Sequence, residues 1–415
     1  MSEARRAVVI GAGIVGVCSA LQLRRAGYEV AVVDPQPPGS GATFGNAGSL
    51  STGSVAPMAM PGMLQQVPKW LLDPDGPLSV RWRYLPRALP WLFAWIRASS
   101  LPVVERSAAA IAPLVRGCVG EYKAILPHEE FERLVRQRGQ LVVSRQEASG
   151  GEDLVGRLRR EHGVPVEKVS ADELRQLEPA LDRSFKGGIL ITDSAHTVDP
   201  QLLAQAVADL VLAEGGRFVR EKATGFVRSD ARVTGVETSG GAEPAEIVVI
   251  AAGAASAALC RMLGDDVPLE SERGYHVVLP EPGITISRPI GNADDKFFST
   301  PMAMGLRVAG TVEIAGLDAP PRFERAEKLA GLARKMFPGL NTDRPTRWLG
   351  HRPSVPDSVP VIGKARRHEN VIYAFGHGHV GLTSGPITGR MVAGIATGGT
   401  MPVDPAPYAI TRFAS

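Results

Sequence analysis

The sequence predicts an α/β fold in which distant parts of the chain build one parallel sheet and a second domain carries a mainly antiparallel sheet. Three observations predict it. A strand, a glycine loop, a helix and a second strand occupy the first 34 residues. Two later apolar runs, at 247–250 and 371–375, lead directly into loops of small residues. The length of 415 residues corresponds to two or three domains.

The composition is that of an ordinary globular protein and excludes several functions. Hydrophobic residues make up 44%, and the net charge of +3 leaves no field typical of a nucleic-acid-binding protein. The three cysteines, Cys18, Cys118 and Cys260, form neither a disulfide framework nor a metal motif. Glycines interrupt the N-terminal apolar run, which argues against a signal peptide, and no run of roughly 18 apolar residues predicts a membrane span. We expect a cytoplasmic protein.

The N-terminal unit has the form of a dinucleotide-binding motif. The apolar run 7–10 predicts a buried strand, and Gly11–Gly16 follows it directly with the spacing G-x-G-x-x-G. Residues 17–26 predict a helix that Gly27 ends, and 30–33 predict a second strand. These elements in this order indicate a Rossmann-like unit rather than a chance glycine turn.

Each glycine of the motif has a separate task. Gly11 forms the tight turn, Gly13 lets a pyrophosphate approach the backbone, and Gly16 allows the helix to pack closely on the strand. The phosphates would face free N–H groups at the positive end of the helix. Asp34, at the end of the second strand, would accept hydrogen bonds from the adenosine ribose.

The segment after this unit favours a flavin dinucleotide over NAD. Residues 35–50 (PQPPGSGATFGNAGSL) have neither helical nor strand periodicity and offer several backbone N–H groups to a second phosphate or a flavin ring. A dehydrogenase that uses only NAD would usually continue into another regular βα unit. An NAD-dependent dehydrogenase is therefore a disfavoured alternative.

Two later junctions belong to the same domain. The strand at 247–250 leads into 251–254 (AAGA), and the strand at 371–375 leads into 376–383 (GHGHVGLT). A helix predicted at 387–396 would point its N-terminus back at that last loop. In open α/β sheets a cofactor binds beyond the carboxyl ends of the strands. The junctions therefore predict one nucleotide-binding domain built from separated segments.

Six stretches along the chain carry a family resemblance. They are VVIGAGIVGVCSALQLRRAGYEVAVVD at 8–34, GNAGSLS at 45–51, DSAHTVDP at 193–200, VVIAAGA at 248–254, GLRVAGTVEIAGLD at 305–318 and GHRPSVPDSVPVIG at 350–363. Together they resemble the FAD-dependent D-amino acid dehydrogenase group of the D-amino acid oxidase, glycine oxidase and sarcosine oxidase family. The resemblance runs from Ala7 to about Ala396.

The resemblance implies FAD in a Rossmann-like domain made of residues 1–60, 195–262 and 350–415, and a substrate domain made of 61–194 and 263–349. Because the glycine-rich loop after the motif holds neither histidine nor cysteine, we predict non-covalent FAD. The residues predicted to bind it are Gly11, Gly13, Ile14, Val15, Gly16, Asp34, Pro35, Ala42, Thr43, Asn46, Ala47, Gly48, Ser49, Ala223, Ala252, Gly253, Gly378, His379, Val380, Gly381, Leu382 and Thr383.

The reaction predicted from this resemblance is the oxidation of a D-amino acid, or of a cyclic or N-substituted analogue such as D-proline or D-hydroxyproline. The protein must hold the carboxylate, direct the Cα–H at flavin N5 for hydride transfer and admit a neutral amine, so a strong base is not obligatory. Electrons would pass to a quinone, a carrier protein or oxygen. A glycine- or sarcosine-type oxidase and an FAD-binding subunit of a hetero-oligomer remain as alternatives.

Four residues are candidates for the catalytic site. The resemblance places Arg352 at the position of the carboxylate clamp, and a planar guanidinium suits bidentate binding of a carboxylate. It also implies an aromatic hydroxyl near the carboxylate at Tyr275; Tyr275 and His276 alternate faces of a predicted strand, so at most one faces the flavin. His379 stands where glycine oxidases carry an arginine and could donate a hydrogen bond to substrate or flavin.

Two further interpretations concern a metal site and Arg307. His377 and His379 lie two residues apart without a third ligand, so no metal site is predicted. Arg307 is predicted to be structural or solvent-facing.

The segment Trp70–Trp95 holds four of the five tryptophans together with several arginines. It could contact a membrane that contains a quinone, or a partner subunit. We favour the alternative that the rings pack inside the substrate domain. Peripheral attachment at the inner face of the membrane therefore remains a second possibility beside a purely cytoplasmic location.

Overall fold

The computed structural model describes residues 5–62, 78–146 and 153–413. Its strands are β1 Arg6–Ile10, β2 Glu29–Val33, β3 Ser49–Leu50, β4 Leu78–Val80, β5 Val135–Arg136, β6 Gln140–Ser144, β7 Val166–Ser170, β8 Gly187–Ile191, β9 Ala195–Thr197, β10 Arg217–Val219, β11 Ala223–Ser229, β12 Arg232–Thr238, β13 Gly241–Pro244, β14 Ile247–Ile250, β15 Glu270–Leu279, β16 Ile290–Asn292, β17 Phe297–Met302, β18 Gly305–Ile314, β19 Thr346–Ser354, β20 Val361–Lys364 and β21 Val371–Phe375. Its α-helices are α1 Ile14–Arg25, α2 Leu85–Ala98, α3 Leu101–Val115, α4 Cys118–Ile125, α5 His128–Leu134, α6 Leu154–Glu161, α7 Ala171–Leu177, α8 Pro200–Ala213, α9 Ser256–Met262, α10 Glu324–Met336 and α11 Gly381–Thr397.

The parallel sheet predicted from separated segments is present, with six strands in the order β10-β2-β1-β14-β21-β20. All neighbours are parallel except β20 and β21. Its central strands are apolar runs because both faces are covered. Ala7 and Val9 pack with α1 and α8 on one face, while Val8 and Ile10 pack with β11, β12 and α9 on the other. The predicted fold class is confirmed.

A nine-stranded sheet forms the second architectural unit, in the order β19-β15-β18-β17-β16-β6-β8-β7, with β4 paired to β18. Only the β16–β6 and β18–β4 pairs are parallel, so the sheet is mainly antiparallel as predicted. Helix α10 covers one face, where Tyr275, Val277 and Leu329 are buried together. The other face of β15 and β19 is turned toward the first sheet.

Strand β18 contains a bulge opposite β15. Arg273 pairs with Glu313 and Tyr275 pairs with Gly310, so β18 inserts one extra residue between these pairs. Thr311 lies in the bulge with φ +68°, a backbone conformation that is uncommon for a β-branched residue. The bulge turns the carbonyl of Thr311 out of the ladder and toward β19.

The predicted domain boundary at 349/350 falls inside β19, Thr346–Ser354, which belongs entirely to the nine-stranded sheet. The reason is that the motif GHRP forms the end of this long strand rather than the start of the next nucleotide-binding segment. Arg352 therefore reaches the site from the antiparallel sheet. The strands of the six-stranded sheet lie within residues 6–33, 217–219, 247–250 and 361–375.

The remaining sequence predictions have mixed outcomes. All three cysteines are buried and unpaired. Trp91 and Trp95 are buried and stacked with ring centroids 6.4 Å apart, whereas Trp82 is 73% exposed; Trp70 lies outside the described residues. No helix in the described ranges is long and apolar enough to cross a membrane.

Candidate active site

The glycine loop after β1 leaves room for a ligand at only one of its three motif glycines. Gly11 has φ +110°, and a Cβ there would overlap the carbonyl oxygen of Ala251 at the end of β14. A Cβ on Gly16 would overlap the carbonyl oxygen of Gly11. A Cβ on Gly13 would meet only the Thr43 hydroxyl, 3.5 Å away. Gly13 therefore borders open space, as a close approach by a pyrophosphate requires.

The N-terminus of α1, the positive end of the helix dipole, borders the glycine loop where an anion would bind. Its N-cap is Gly13, which supplies no side-chain hydrogen bond to the helix. The backbone N–H of Ala12 donates to Asp34 Oδ2 at 2.8 Å, and that of Gln36 donates to Oδ1 at 2.8 Å. A carboxylate accepts about four hydrogen bonds, so Asp34 is held in place by two and keeps capacity for ribose hydroxyls.

Buried side chains of the nine-stranded sheet hold the glycine-rich loop in position. Arg307 Nη1 donates to the carbonyl oxygens of Phe44, at 2.8 Å, and Asn46, at 2.6 Å. His276 Nδ1 lies 3.2 Å from the carbonyl oxygen of Gly45. The Trp348 ring occupies the place where a Cβ of Gly45 would stand. The loop is thus fixed to β15, β18 and β19.

Arg307 is buried, so its predicted solvent-facing alternative is wrong and its structural one is confirmed. Burial lowers the pKa of its guanidinium to about 10, partly offset by the charge of Asp199, and it remains a cation at neutral pH. Sequence periodicity could not identify this role, because the loop it binds lies about 260 residues away in the chain.

Arg352 lies on the face of β19 that is turned toward the glycine loops. Its guanidinium is stacked against Gly274 on β15, and its Nη1 donates to the Thr311 carbonyl oxygen at 3.2 Å. Burial lowers the pKa of Arg352, and the charge of Glu272 opposes that shift. A guanidinium has five N–H donors, so four stay available for a carboxylate ligand or for nearby side chains.

Glu272 is a buried carboxylate opposite Arg352 that the sequence analysis did not identify. The two residues are paired across β15 and β19. Glu272 Oε2 lies 3.1 Å from His379 Nε2. Burial raises the pKa of Glu272, but the hydrogen bond and charge of His379 and the charge of Arg352 outweigh it and lower the pKa overall. A buried acid inside a strand pattern is the only sequence signal that could have pointed to it.

The loop that carries His379 is fastened to the end of β19. Gly378 N–H donates to the Pro353 carbonyl oxygen at 2.8 Å, and Ser354 forms a bridge with His377. Helix α11 begins at Gly381, six residues before its predicted start, and Pro386 lies inside it. The Leu382 carbonyl oxygen, which has no helical donor because residue 386 is a proline, instead accepts a hydrogen bond from the Tyr122 hydroxyl at 2.6 Å. His379 therefore lies directly at the helix N-terminus.

Two further histidines near the site are buried and neutral, and a catalytic role for His276 stays a prediction. Burial, helped by the charge of Arg307, lowers the pKa of His276 to about 3, and its ring stacks on Trp348 with centroids 5.1 Å apart. Burial lowers the pKa of His377 to about 3, and its Nε2 lies 3.1 Å from the Thr388 hydroxyl. No group of His, Cys, Asp or Glu side chains in the described part of the chain could hold a metal ion.

Tyr275 lies on the opposite face of β15, which corrects its predicted place beside a substrate carboxylate. Its hydroxyl donates to Glu313 Oε2 at 2.6 Å and accepts from the Arg322 backbone N–H at 3.0 Å. Its ring packs edge-on against Phe323. Because side chains alternate along a strand, the face that presents His276 to the loops excludes Tyr275.

Several buried polar atoms near residues 48–51 have no hydrogen-bond partner among the described residues. They are Ser51 Oγ, His196 Nδ1 and Thr300 Oγ1. His196 is paired with Ser49, and a Cβ on Gly48 would lie 3.6 Å from Thr300 Cγ2, so most of these atoms surround the same loop. Unpaired buried polar atoms are costly, which fits a polar ligand such as a flavin ring.

The remaining predicted cofactor residues lie around the same edge of the six-stranded sheet. Ala223 and Ala252 pack against the cluster that contains Ile10 and Val33, and Gly253 has φ +56° and open space beside it. Thr383 donates to the Ser49 carbonyl oxygen at 3.4 Å, which joins the start of α11 to the glycine-rich loop. Ile14, Val15, Thr43, Ala47, Val380 and Leu382 lie at these same junctions, and Pro35 and Ala42 are exposed there.

Comparison with known proteins identifies the family. Residues 6–395 match the model of the DAO family, described as FAD dependent oxidoreductase. The chain belongs to this FAD-dependent oxidoreductase family. It is 40% identical to a D-amino-acid oxidase of Bradyrhizobium diazoefficiens over 100% of both chains, and 32% identical to a D-amino acid dehydrogenase of the same organism over 99% of both. Glycine oxidase from Geobacillus kaustophilus has the same fold, with a TM-score of 0.76, 20% identity and coverage of 99% of this chain and 100% of its own.

The predicted cofactor is therefore confirmed as FAD. The open space at Gly13, the anchored Asp34 and the unpaired polar atoms around Gly48 fit this cofactor. The residue-by-residue assignment of its contacts remains a prediction.

Proposed function

We propose that this chain oxidises D-amino acids, or cyclic or N-substituted D-amino acids, at the bond between Cα and nitrogen. The observation that carries the proposal is the opposed pair Arg352 and Glu272, which face the FAD loops from paired positions on β19 and β15. The cation of Arg352 suits the carboxylate of an amino acid, and the anion of Glu272 favours a positive charge at the other end of the same molecule. The names of the relatives, D-amino-acid oxidase and D-amino acid dehydrogenase, support the same class of substrate.

Arg352 is the proposed carboxylate clamp. Its guanidinium is held against Gly274 and tied to the Thr311 carbonyl, so two parallel N–H groups stay in one plane for bidentate binding. Bound FAD, held without a covalent bond by the glycine loops, supplies the acceptor for the hydride from Cα. The protein supplies position and charge rather than a nucleophile. The imine product then hydrolyses to a 2-oxo acid or, from a cyclic substrate, stays a cyclic imine.

Anaerobic bleaching of the flavin absorbance tests the proposal. Purified protein is mixed with D- and L-amino acids and with cyclic imino acids, and the flavin band is followed. Reduction by D-enantiomers or D-cyclic substrates supports the proposal. A flavin that only L-amino acids or only glycine and sarcosine reduce would contradict it, and a flavin that no substrate reduces would favour an FAD-binding subunit.

An oxidase and a dehydrogenase differ in their electron acceptor. Both activities appear among the names of the relatives. An oxidase that passes its electrons to oxygen is the second candidate function, because the relative with 40% identity is named an oxidase. Peroxide formed during turnover in air without added dye supports an oxidase. Turnover that requires a quinone or a dye supports a dehydrogenase.

Helix α2 carries the proposed contact with a membrane surface or a partner subunit. Leu89 and Phe93, four residues apart, are exposed on one face, Phe93 to 62%, and the exposed Trp82 lies just before the helix begins at Leu85. The exposed arginines Arg83 and Arg87 flank these side chains. An apolar face with basic neighbours suits the surface of an anionic bilayer. Sedimentation with anionic vesicles, compared between the native chain and Phe93→Ser, measures this contact.

A further inference from the structure

We propose that His379 accepts the proton of the substrate ammonium and that Glu272 is the positioning residue that orients it. The inference rests on the proposed function, because it requires an amino acid whose carboxylate is held by Arg352. It adds a proton acceptor to a site that could work without one.

Glu272 sets the tautomer of His379. The pKa of Glu272 is lowered in spite of burial, so this carboxylate is ionised at neutral pH and can only accept hydrogen bonds. The contact of 3.1 Å between Oε2 and His379 Nε2 therefore places the proton on Nε2. Nδ1 is left with a free lone pair. A carboxylate that orients an imidazole in this way also stabilises the imidazolium that forms when Nδ1 takes a proton.

Accessibility separates His379 from the other histidines of the site. Its side chain is 36% exposed, while that of its partner Glu272 is 6% exposed. His276 and His377 are buried, and the pKa of each is lowered to about 3, so neither can gain a proton near neutral pH. Among these three histidines, only His379 combines an anionic partner with an accessible side chain.

Titratable groups on β19, on β15 and on the loop before α11 face the pair of His379 and Glu272. Arg352 on β19 lies opposite Glu272 and lowers its pKa. Glu270, two residues before Glu272 on the same face of β15, accepts hydrogen bonds from Tyr84, and burial raises its pKa. His377, on the loop of His379, is neutral. The ionised partner of His379 is therefore Glu272, and Arg352 stays free to bind the substrate carboxylate.

The proton step balances within the protein and the substrate. An N–H bond of the ammonium breaks, its electron pair stays on nitrogen, and the proton binds to the lone pair of His379 Nδ1. His379 becomes an imidazolium that remains hydrogen-bonded to Glu272, and the amine becomes neutral. A neutral amine is the form whose lone pair drives the loss of hydride from Cα. At neutral pH most of the substrate arrives as the ammonium, so this step enlarges the reactive fraction.

The test compares the rate of anaerobic flavin reduction by a D-amino acid across pH in the native chain, His379→Gln and Glu272→Gln. The glutamine at 379 keeps a donor for Glu272 but cannot accept the proton. We expect a loss of about 100-fold or more at pH 7, narrowing to less than about tenfold near pH 10, where the substrate amine is largely neutral. His128→Gln, an exposed histidine on α5, is the matched control. Added imidazole should restore part of the rate in His379→Gln.

A second readout does not depend on turnover. The ring ¹⁵N resonances of His379, assigned by their absence in His379→Gln, are recorded by NMR in the FAD-loaded chain without substrate. The native chain should carry the imidazole proton on Nε2, and Glu272→Gln should weaken this preference, because an amide can donate to the ring as well as accept from it. Parallel pH profiles of native and His379→Gln proteins, or a native ring that carries its proton on Nδ1, would overturn the inference. If no amino acid reduces the native flavin, the proposed function fails instead.

Discussion

The guanidinium of Arg352 rests on the backbone of Gly274, one strand away in the antiparallel sheet, where any side chain would overlap it. Gly274→Ala should therefore displace the clamp without touching the FAD loops. We expect KM for a D-amino acid to rise by tenfold or more, about 1.4 kcal/mol of lost binding, with normal flavin content. Gly120→Ala, in helix α4 with open space around it, is the matched control and should stabilise the fold by about 0.5–1 kcal/mol. An unchanged KM in Gly274→Ala would show that Arg352 is not the carboxylate clamp.

Removal of the clamp charge should act on binding first. Arg352→Ala deletes a partner of a charged pair, a loss of about 2–5 kcal/mol, so KM should rise by at least about 30-fold while bound FAD is retained. Arg347→Ala on the same strand, whose exposed ion pair with Glu327 lies away from the site, serves as the control in steady-state kinetics. Loss of flavin in Arg352→Ala would indicate a role in cofactor binding instead.

Alanine substitutions at two glycines of the phosphate loop should affect different properties, FAD binding at Gly13 and protein stability at Gly16. A Cβ on Gly13 meets only the Thr43 hydroxyl at 3.5 Å, so Gly13→Ala should fold but bind FAD at least about tenfold more weakly. A Cβ on Gly16 overlaps the Gly11 carbonyl, so Gly16→Ala should lower the stability of the apoprotein itself. Flavin absorbance per protein and thermal unfolding monitored by circular dichroism measure the two effects. Full flavin content in Gly13→Ala would contradict the assignment.

Arg307 should couple the antiparallel sheet to FAD binding. Arg307→Met keeps the volume of the stem but deletes the donors to the Phe44 and Asn46 carbonyl oxygens. Each buried acceptor left without a partner costs about 1–3 kcal/mol, so we expect a lower melting temperature and weaker FAD binding. Arg133→Met, an exposed arginine paired with Glu130 on α5, is the control. Equal FAD affinity in the native and Arg307→Met proteins would show that the loop is held without it.

Acid should destabilise the protein through its buried histidines. Burial lowers the pKa of His276 and of His377 from 6.5 to about 3. Between these values the unfolded chain binds protons that the native state excludes, so stability is full above about pH 6.5 and falls as the pH drops toward 3. The expected slope is about 1.4 kcal/mol per histidine and pH unit. Urea unfolding at pH 7, 6 and 5 should show a shallower slope in His377→Gln, whereas Thr388→Val, which removes only the partner of His377, should keep the native slope.

The sequence predicted those features of the fold that depend on residues close together in the chain. The βαβ unit with Gly11, Gly13 and Gly16 was predicted because turn, helix start and strand end are set within about 35 residues. The start of α11 was predicted six residues too late because Pro386 suggests a helix boundary, whereas the Leu382 carbonyl oxygen that the proline leaves without a helical donor is satisfied by Tyr122 from another helix.

Contacts between distant segments decided the rest. Glu272 meets His379 more than 100 residues later, and Arg307 meets the loop at 44–46 across the two sheets. Neither pairing leaves a periodic trace in the sequence. The alternation of Tyr275 and His276 was evident, but which of them faces FAD depends on the side of β15 that α10 covers. That side is chosen when the two sheets pack.

The sequence by itself therefore determined the fold class, the nucleotide-binding edge and the family, because these depend on local glycine spacing and on apolar runs. Only the tertiary structure decided the charge arrangement of the site. It buried Glu272 beside Arg352, turned Tyr275 away and left His379 accessible at the start of α11. The physical reason is that strand register and sheet packing bring together groups whose separation along the chain carries no information about their distance in space.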